Sequence, residues 1–183
     1  HKTKIKELYD LCFAGSLNGS LHHNRAITIK KISNKYNIVI KNNIRNNISN
    51  FYSKSKLAIG MNADLNKYLY TSNRFFVALG CGAFYLCEYF PGIEKLVQNH
   101  KHLVWYRTQK ELFKLVDHYL GSKSRRDYIR NNAQQLAHSK HTYAHRITNM
   151  LDIIDGKTED VMRLDPFKKK LSSFGFEVIS VNG

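Results

Sequence analysis

The sequence predicts an α/β domain built on a doubly wound parallel sheet, and three observations predict it. Short apolar runs alternate with longer stretches of helical spacing. The runs are apolar throughout, as strands covered on both faces are. The chain has 183 residues, 43% of them hydrophobic, which is enough for one domain with a real core.

The elements follow in order. Leu8 to Ala14 is a compact apolar run that ends at Gly15-Ser16. Arg25 to Lys35 spaces Ile27, Ile29 and Ile32 among basic residues, which suits a helix. Asn37-Ile38-Val39-Ile40 is a β-branched run, and Lys56 to Met61 is another strand-like run. Ser72 to Gly80 reads as a buried helix closed by glycine, and Ala83 to Cys87 as an apolar strand. Leu103 to Tyr106 makes one more strand, with Trp105 and Tyr106 filling the core edge. Thr108 with Glu111 three residues on is a capping box, followed by Leu112, Leu115, Val116 and Leu120 on one face. Ser122 to Leu136 reads as a basic helix, and Thr142 to Ile154 places Ile147, Met150, Leu151 and Ile154 on one stripe. After the Asp155-Gly156-Lys157 stop come a Pro166 break, a Lys168-Lys169-Lys170 run and a last strand from Phe176 to Val181. We therefore divide the chain into a domain over residues 1–155 and an extension over 156–183, read as an extra helix and strand or a contact with a further domain. The Asn-rich stretch from Lys41 to Asn50 receives no element.

Composition narrows the function. Lys and Arg number 29 against 14 Asp and Glu, a formal net charge of +15. Abundant Lys, Asn and Ile reflect a biased base composition, yet the surplus still sets a field that draws an anionic partner. A nucleotide diphosphate, a nucleic acid or an acidic lipid surface are the candidates. Three cysteines (Cys12, Cys81, Cys87) form no paired framework and lack zinc-site spacing. No apolar run approaches the ~18–20 residues that span a bilayer, and no signal peptide opens the chain. The expectation is a soluble, cytoplasmic domain with buried, inert thiols. The opening at His1 reads as a piece of a longer protein.

In an open parallel sheet the ligand crevice lies beyond the carboxyl ends of the strands, where the strand order reverses. Two segments are candidates for it. Gly15-Ser16-Leu17-Asn18-Gly19-Ser20 follows the first strand and leads to His22, His23 and Arg25 at a helix start. Glycines allow tight turns and close approach of a phosphate, but neither a G-x-G-x-x-G fingerprint nor a Walker lysine is present. Thr71-Ser72-Asn73-Arg74 precedes the second helix of interest and combines three capping residues with a permanent charge, a plausible diphosphate seat. An ordinary βα loop and a plain N-cap with a solvated arginine are the competing readings. His141 and His145 share a helix face but have no third ligand, so no metal is expected.

The longer context decides between them. Ser72-Asn73-Arg74-Phe75-Phe76-Val77-Ala78-Leu79-Gly80-Cys81-Gly82-Ala83-Phe84-Tyr85-Leu86 resembles the nucleotide-sugar-binding domain of group 1 glycosyltransferases, most closely the spore-maturation-protein type. The resemblance continues through Pro91-Gly92-Ile93-Glu94-Lys95-Leu96, the strand at Leu103 to Tyr106, and Lys110-Glu111-Leu112. It ends with His141-Thr142-Tyr143-Ala144-His145-Arg146, similar to that group's closing helix. It implies a Rossmann-like C-terminal half of a GT-B enzyme, which binds a nucleotide-diphosphate sugar and works with a second Rossmann-like domain that receives the acceptor. It also implies transfer without a metal or other cofactor, consistent with the lack of a D-x-D pair. The residues assigned to the donor are Gly15, Ser16, Arg25, Thr71, Ser72, Asn73, Arg74 and Glu94.

One departure matters. The family's glutamate before the Ala-Leu dipeptide, which holds the donor's ribose hydroxyls, is Val77 here, and Leu69 stands near the place of its acidic partner. Two readings follow: the donor is gripped differently, through Glu88 or Glu94, or the domain is a basic module without turnover that binds nucleic acid or another polyanion. A third combines them, an enzyme whose acceptor is itself anionic.

Overall fold

The computed structural model describes residues 6–17, 23–42, 44 and 47–156. Strands β1 (Tyr9–Ala14), β2 (Ile38–Lys41), β3 (Ser55–Gly60), β4 (Tyr85–Glu88) and β5 (Val104–Tyr106) form one sheet in the order β2-β1-β3-β4-β5. Every pairing is parallel, with Cys12 opposite both Val39 and Ala58, Leu86 opposite Ile59, and Cys87 opposite Trp105. The four crossover connections carry α1 (His23–Ser33), α2 (Ile48–Ser53), α3 (Arg74–Gly80) and α4 (Ile93–Leu96), and α5 (Gln109–Leu120) and α6 (Lys123–Lys140) follow the last strand.

Strand alternation sorts the core into two layers. Leu11, Phe13, Leu57, Ile59, Leu86 and Val104 face Ile29 and Ile32 of α1 and Leu112 and Val116 of α5. Cys12, Ala58, Tyr85 and Cys87 face the other way, under Phe75, Ala78 and Leu79 of α3, with Ala133 and Ala137 of α6. Both faces are therefore covered, which is why the strand sequences show no polar side. Burial pushes the Cys12 thiol up to about 12 and the Cys87 thiol higher still, so neither is a nucleophile.

Two elements escape the sequence reading. The six-residue α2 ends the Asn-rich stretch, and Phe51 and Tyr52, which lie just past it, carry its burial. The four-residue α4 is too short to show periodicity and is entered through Gly92 at φ 88. Helix α6 runs four residues beyond the expected end because Ile129, Ala133 and Ala137 repeat at i, i+4 against the core. At α5 the Thr108 side chain accepts from the Glu111 amide as expected, while the Glu111 carboxylate reaches back to the Arg107 amide.

The basic character of α6 is largely structural. Arg126 donates to the carbonyls of Tyr119 and Leu120, and Arg130 to those of Ser55 and Lys56. Both meet Glu7 ahead of β1, at 3.1 and 2.7 Å. The fold divides between His141 and Thr142. In the second unit, α7 (Tyr143–Ile154) starts at Thr142, whose hydroxyl accepts from the His145 amide, and its stripe of Ile147, Met150, Leu151 and Ile154 is exposed. His141, in the first unit, packs its ring on Phe76. The expected strand from Phe176 to Val181, Pro166 and the Lys168–Lys170 run lie outside the described residues. Among the described residues no helix is long and apolar enough to cross a membrane.

Candidate functional site

The chain turns from β1 to one neighbour, β2, and then to the other, β3, so the strand order reverses between β1 and β3. A crevice beyond the carboxyl ends of these two strands is where such sheets take ligands. Four segments surround it: Gly15-Ser16-Leu17 after β1, Met61-Asn62 after β3, and the starts of α1 and α3. Helices α1 and α3 pack on opposite faces of the sheet. Each brings one arginine over its edge.

Arg25, from α1, is only 5% exposed. Its Nη1 donates to the Ser16 carbonyl at 3.2 Å and its Nη2 to the Met61 carbonyl at 3.1 Å, so one guanidinium ties together the loops that leave β1 and β3. Its Nε is buried without a partner. Arg74, from α3, is half-buried; its Nη1 donates to the Ala14 carbonyl and its Nε to the Ser72 hydroxyl at 3.4 Å. Among the described residues nothing accepts from its Nη2. A Cβ on Gly15 would lie 2.0 Å from Arg74 Nη1, so glycine is required there for the guanidinium to reach the end of β1.

The electrostatics follow from this packing. Burial first, then the positive charge of Arg74, lowers the Arg25 ionisation below the ordinary arginine range, and the phenols of Tyr85 and Tyr70 oppose that. No carboxylate among the described residues pairs with either arginine. Among the described residues, then, two cations share a site of reduced dielectric without a counter-charge, an arrangement that a dianion relieves.

The structure brings Gly15, Ser16, Arg25, Ser72 and Arg74 together. Thr71 lies alongside, its hydroxyl donating to Asn62 Oδ1 at 3.3 Å. Asn73 is exposed, helical in conformation, and makes no side-chain capping bond. With α3 only seven residues long, its dipole adds little, and the charge of the site comes from the guanidiniums. Val77 sits half-buried in the same helix. Glu94 is exposed on α4, past β4, where its own backbone amide, the Tyr89 hydroxyl and Arg107 hold its carboxyl below the usual range. Glu88 ends β4 opposite Tyr106, and burial raises its carboxyl. Neither acid is brought to the arginines. His23 opens α1 exposed; His22 and Asn18 to Ser20 lie outside the described residues. Among the described residues no group of three or more His, Cys, Asp or Glu can hold a metal.

Sequence reasoning missed Tyr85, read simply as part of an apolar strand. Its phenol crosses Gly60, where a Cβ would lie 2.2 Å from the ring and hydroxyl, at the very end of β3. Only the register of β3 on β4 reveals this. It also passed over Tyr70, although a Tyr-Leu-Tyr triplet directly before Thr71 was a visible signal.

A family model described as glycosyl transferase-like matches residues 11–152. No curated protein matches the chain. Among solved structures, Anabaena HepE in complex with UDP-glucose is similar at a TM-score of 0.61 and 13% identity, over 80% of this chain and 40% of that one. T4 phage β-glucosyltransferase with its UDP-glucose substrate is similar at 0.61 and 14% identity, over 87% of this chain and 51% of that one; the phage enzyme is also known in complex with UDP and Mn2+. TarM is similar at 0.60 and 9% identity, over 82% of this chain and 36% of that one. The chain thus spans about half the length of these relatives or less.

Proposed function

The chain belongs to the glycosyl transferase-like family, and on that premise we propose that it is the donor-binding half of a GT-B glycosyltransferase. It binds a nucleotide-diphosphate sugar in the β1/β3 crevice. A second Rossmann-like domain of the same protein brings the acceptor, and residues 1–155 form the donor domain. The observation that carries the reading is the pair of guanidiniums over the ends of β1 and β3, which no carboxylate among the described residues compensates.

Breaking a glycosidic bond to a nucleotide leaves negative charge on the departing diphosphate. Preorganised cations in a water-poor site stabilise that charge where it develops. Arg74 keeps Nη2 for a phosphate oxygen while Nη1 and Nε fix the plane of the guanidinium. Arg25 does its work from behind, holding the Ser16 and Met61 carbonyls so that their loops frame the anion. These charges take the part that a divalent cation plays elsewhere, and transfer proceeds without a bound metal. The three free thiols fit a reducing, cytoplasmic setting. The acceptor is anionic in this reading, since the +15 charge far exceeds what one diphosphate neutralises.

Val77, half-buried in α3 where the resemblance places a ribose-holding glutamate, favours a second reading, a module that binds polyanions without turnover. Calorimetric titration with nucleoside diphosphates and their sugars separates the two. Saturable binding that Arg74→Ala weakens at least tenfold for the diphosphate, but not for the nucleoside, is the expected result. No binding to any of them, together with strongly salt-dependent binding of nucleic acid, would overturn the donor reading in favour of the second.

A further inference from the structure

We propose that Tyr70 is a stacking platform for the base of the nucleotide whose diphosphate meets Arg74. The proposal rests on the donor reading above and adds a residue and a subsite to it.

The loop from β3 to α3 is built around an inverted leucine. Leu69 has φ of 54, in the left-handed region that costs energy at a leucine, and such strain persists only where the surroundings impose it. Here they do. The Leu69 amide donates to the Pro91 carbonyl at 2.8 Å, and its side chain lies so close to Gly92 that a Cβ there would come within 2.9 Å of Leu69 Cδ2. Leu69 is half-buried against Gly92, and the edge of the Tyr68 ring lies there too, 2.7 Å from where a Cβ would sit; Tyr70, at 42% exposed, has no such neighbour at that glycine.

Tyr70 is the one tied to the crevice, since Asn62, on the segment that leaves β3, donates to its carbonyl. It stands four residues ahead of Arg74, and its phenol acts on the ionisation of Arg25. Its backbone is fixed on both sides: the amide donates to the Lys67 carbonyl at 3.3 Å, and the carbonyl accepts from Asn62 Nδ2 at 3.2 Å. Asn62 is in turn held by Thr71. The Lys67 ammonium lies 5.7 Å from the ring centroid.

A large aromatic left half-exposed on an immobilised backbone suits a flat ligand, because little freedom is lost when the two stack. Every nucleobase has such a π-face, and base–aromatic stacking tolerates any of them. The transferred sugar must turn its anomeric carbon toward an acceptor held by another domain. The base has no such obligation and can lie against this half.

The test is calorimetry on the whole chain with inorganic pyrophosphate and with the tightest-binding of the four common nucleoside diphosphates. Tyr70→Ala should weaken the nucleoside diphosphate about tenfold and leave pyrophosphate within twofold. Tyr70→Phe should bind as the parent does, because the ring rather than the hydroxyl is used, and Tyr70→Leu should behave like the alanine variant. The loop is held by backbone bonds that these changes leave in place, and thermal unfolding checks that each variant folds. Equal weakening of both ligands by Tyr70→Ala, or of neither, would sink the platform while leaving the donor reading intact. A parent chain that binds neither ligand would remove the donor reading first and the platform with it.

Discussion

Gly15→Ala tests the geometry of the arginine pair most directly. The added methyl would start 2.0 Å from Arg74 Nη1, and ordinary contact begins near 3.4 Å, so the nitrogen must retreat by roughly 3.4 − 2.0 = 1.4 Å. That obstacle is the end of a flexible side chain, so its retreat is cheap for the fold; the buried Phe13 ring, whose Cζ would lie at 3.0 Å, must also give by a few tenths of an ångström. Gly15 is absent from the glycines with positive φ, so alanine meets no backbone penalty there. The gain of a few tenths of a kcal/mol that Gly→Ala brings at compatible sites is offset by that pressure on Phe13, so stability should stay within about 1 kcal/mol of the parent. Binding should not hold. The Arg74 Nη1 bond to the Ala14 carbonyl is lost, and the guanidinium plane that presents Nη2 goes with it. A hydrogen bond to a charged group is worth about 1.5–3 kcal/mol, which converts to between about tenfold and about a hundredfold in affinity. Calorimetry with pyrophosphate and a urea melt on the same preparation give both numbers. If Arg74 is the common cause, Gly15→Ala should add little in an Arg74→Ala background. Pyrophosphate affinity within twofold of the parent, in a variant that melts normally, would refute the role given to Arg74.

Gly60→Ala should behave in the opposite way: its Cβ would overlap the buried Tyr85 ring, which cannot step aside, so urea unfolding should report a loss of about 1–3 kcal/mol. Glu7→Gln removes the only carboxylate that faces Arg126 and Arg130 among their described partners apart from the more distant Asp127, and should cost about 3 kcal/mol at pH 7. Burial works to raise the Glu7 carboxyl, but the hydrogen bonds and charges of Arg130 and Arg126 outweigh it and hold the group below 4.5. A carboxyl depressed in the folded state stabilises above its unfolded value and loses that contribution as pH falls through the folded one. Parent stability should accordingly drop below about pH 4.5, and Glu7→Gln should show a shallower drop in urea melts across pH 3–6; parallel profiles would contradict the assignment.

The fold was legible because its signals are local. Unbroken apolar strands, the Thr108 cap and the i, i+4 stripes of α5 and α6 each depend on a few adjacent residues and on burial from both faces. The site was legible in part for the same reason. Arg25 and Arg74 stand directly after turn-forming residues at helix starts, where a sheet of this class presents its ligand. What the sequence withholds is register. Nothing in Lys56 to Met61 says that Gly60 is small to let Tyr85 cross from the next strand, and nothing in the Ser72–Arg74 segment says that Gly15, some sixty positions earlier, must yield room for its side chain. Glu94 illustrates the converse: a carboxylate in a loop at a strand end looked able to reach the ligand, but β4 carries it to the Tyr89 and Arg107 cluster instead.

The charge of the chain reads differently once its arginines are placed. Arg126 and Arg130 are spent on carbonyls and Glu7, at the opposite, amino-terminal end of the strands from the crevice. They offer nothing to a polyanion. Arg25 is also buried, yet unlike them it pairs with no acid among the described residues, and the charge that acts on it most is another guanidinium, that of Arg74. Carbonyl dipoles compensate a buried cation only partly, so this corner of the fold is less stable than a paired one would be. A sequence that carries such a local violation recovers the loss when something binds. On the donor reading, a ligand with two negative charges and the size of a diphosphate would recover it, and would recover more as charge builds on the leaving oxygen than when the bond is intact. That difference is what a transferase requires and a passive anion binder does not. The arginine pair should consequently raise the thermal midpoint of the protein on binding pyrophosphate by more than on binding a single phosphate at the same saturation.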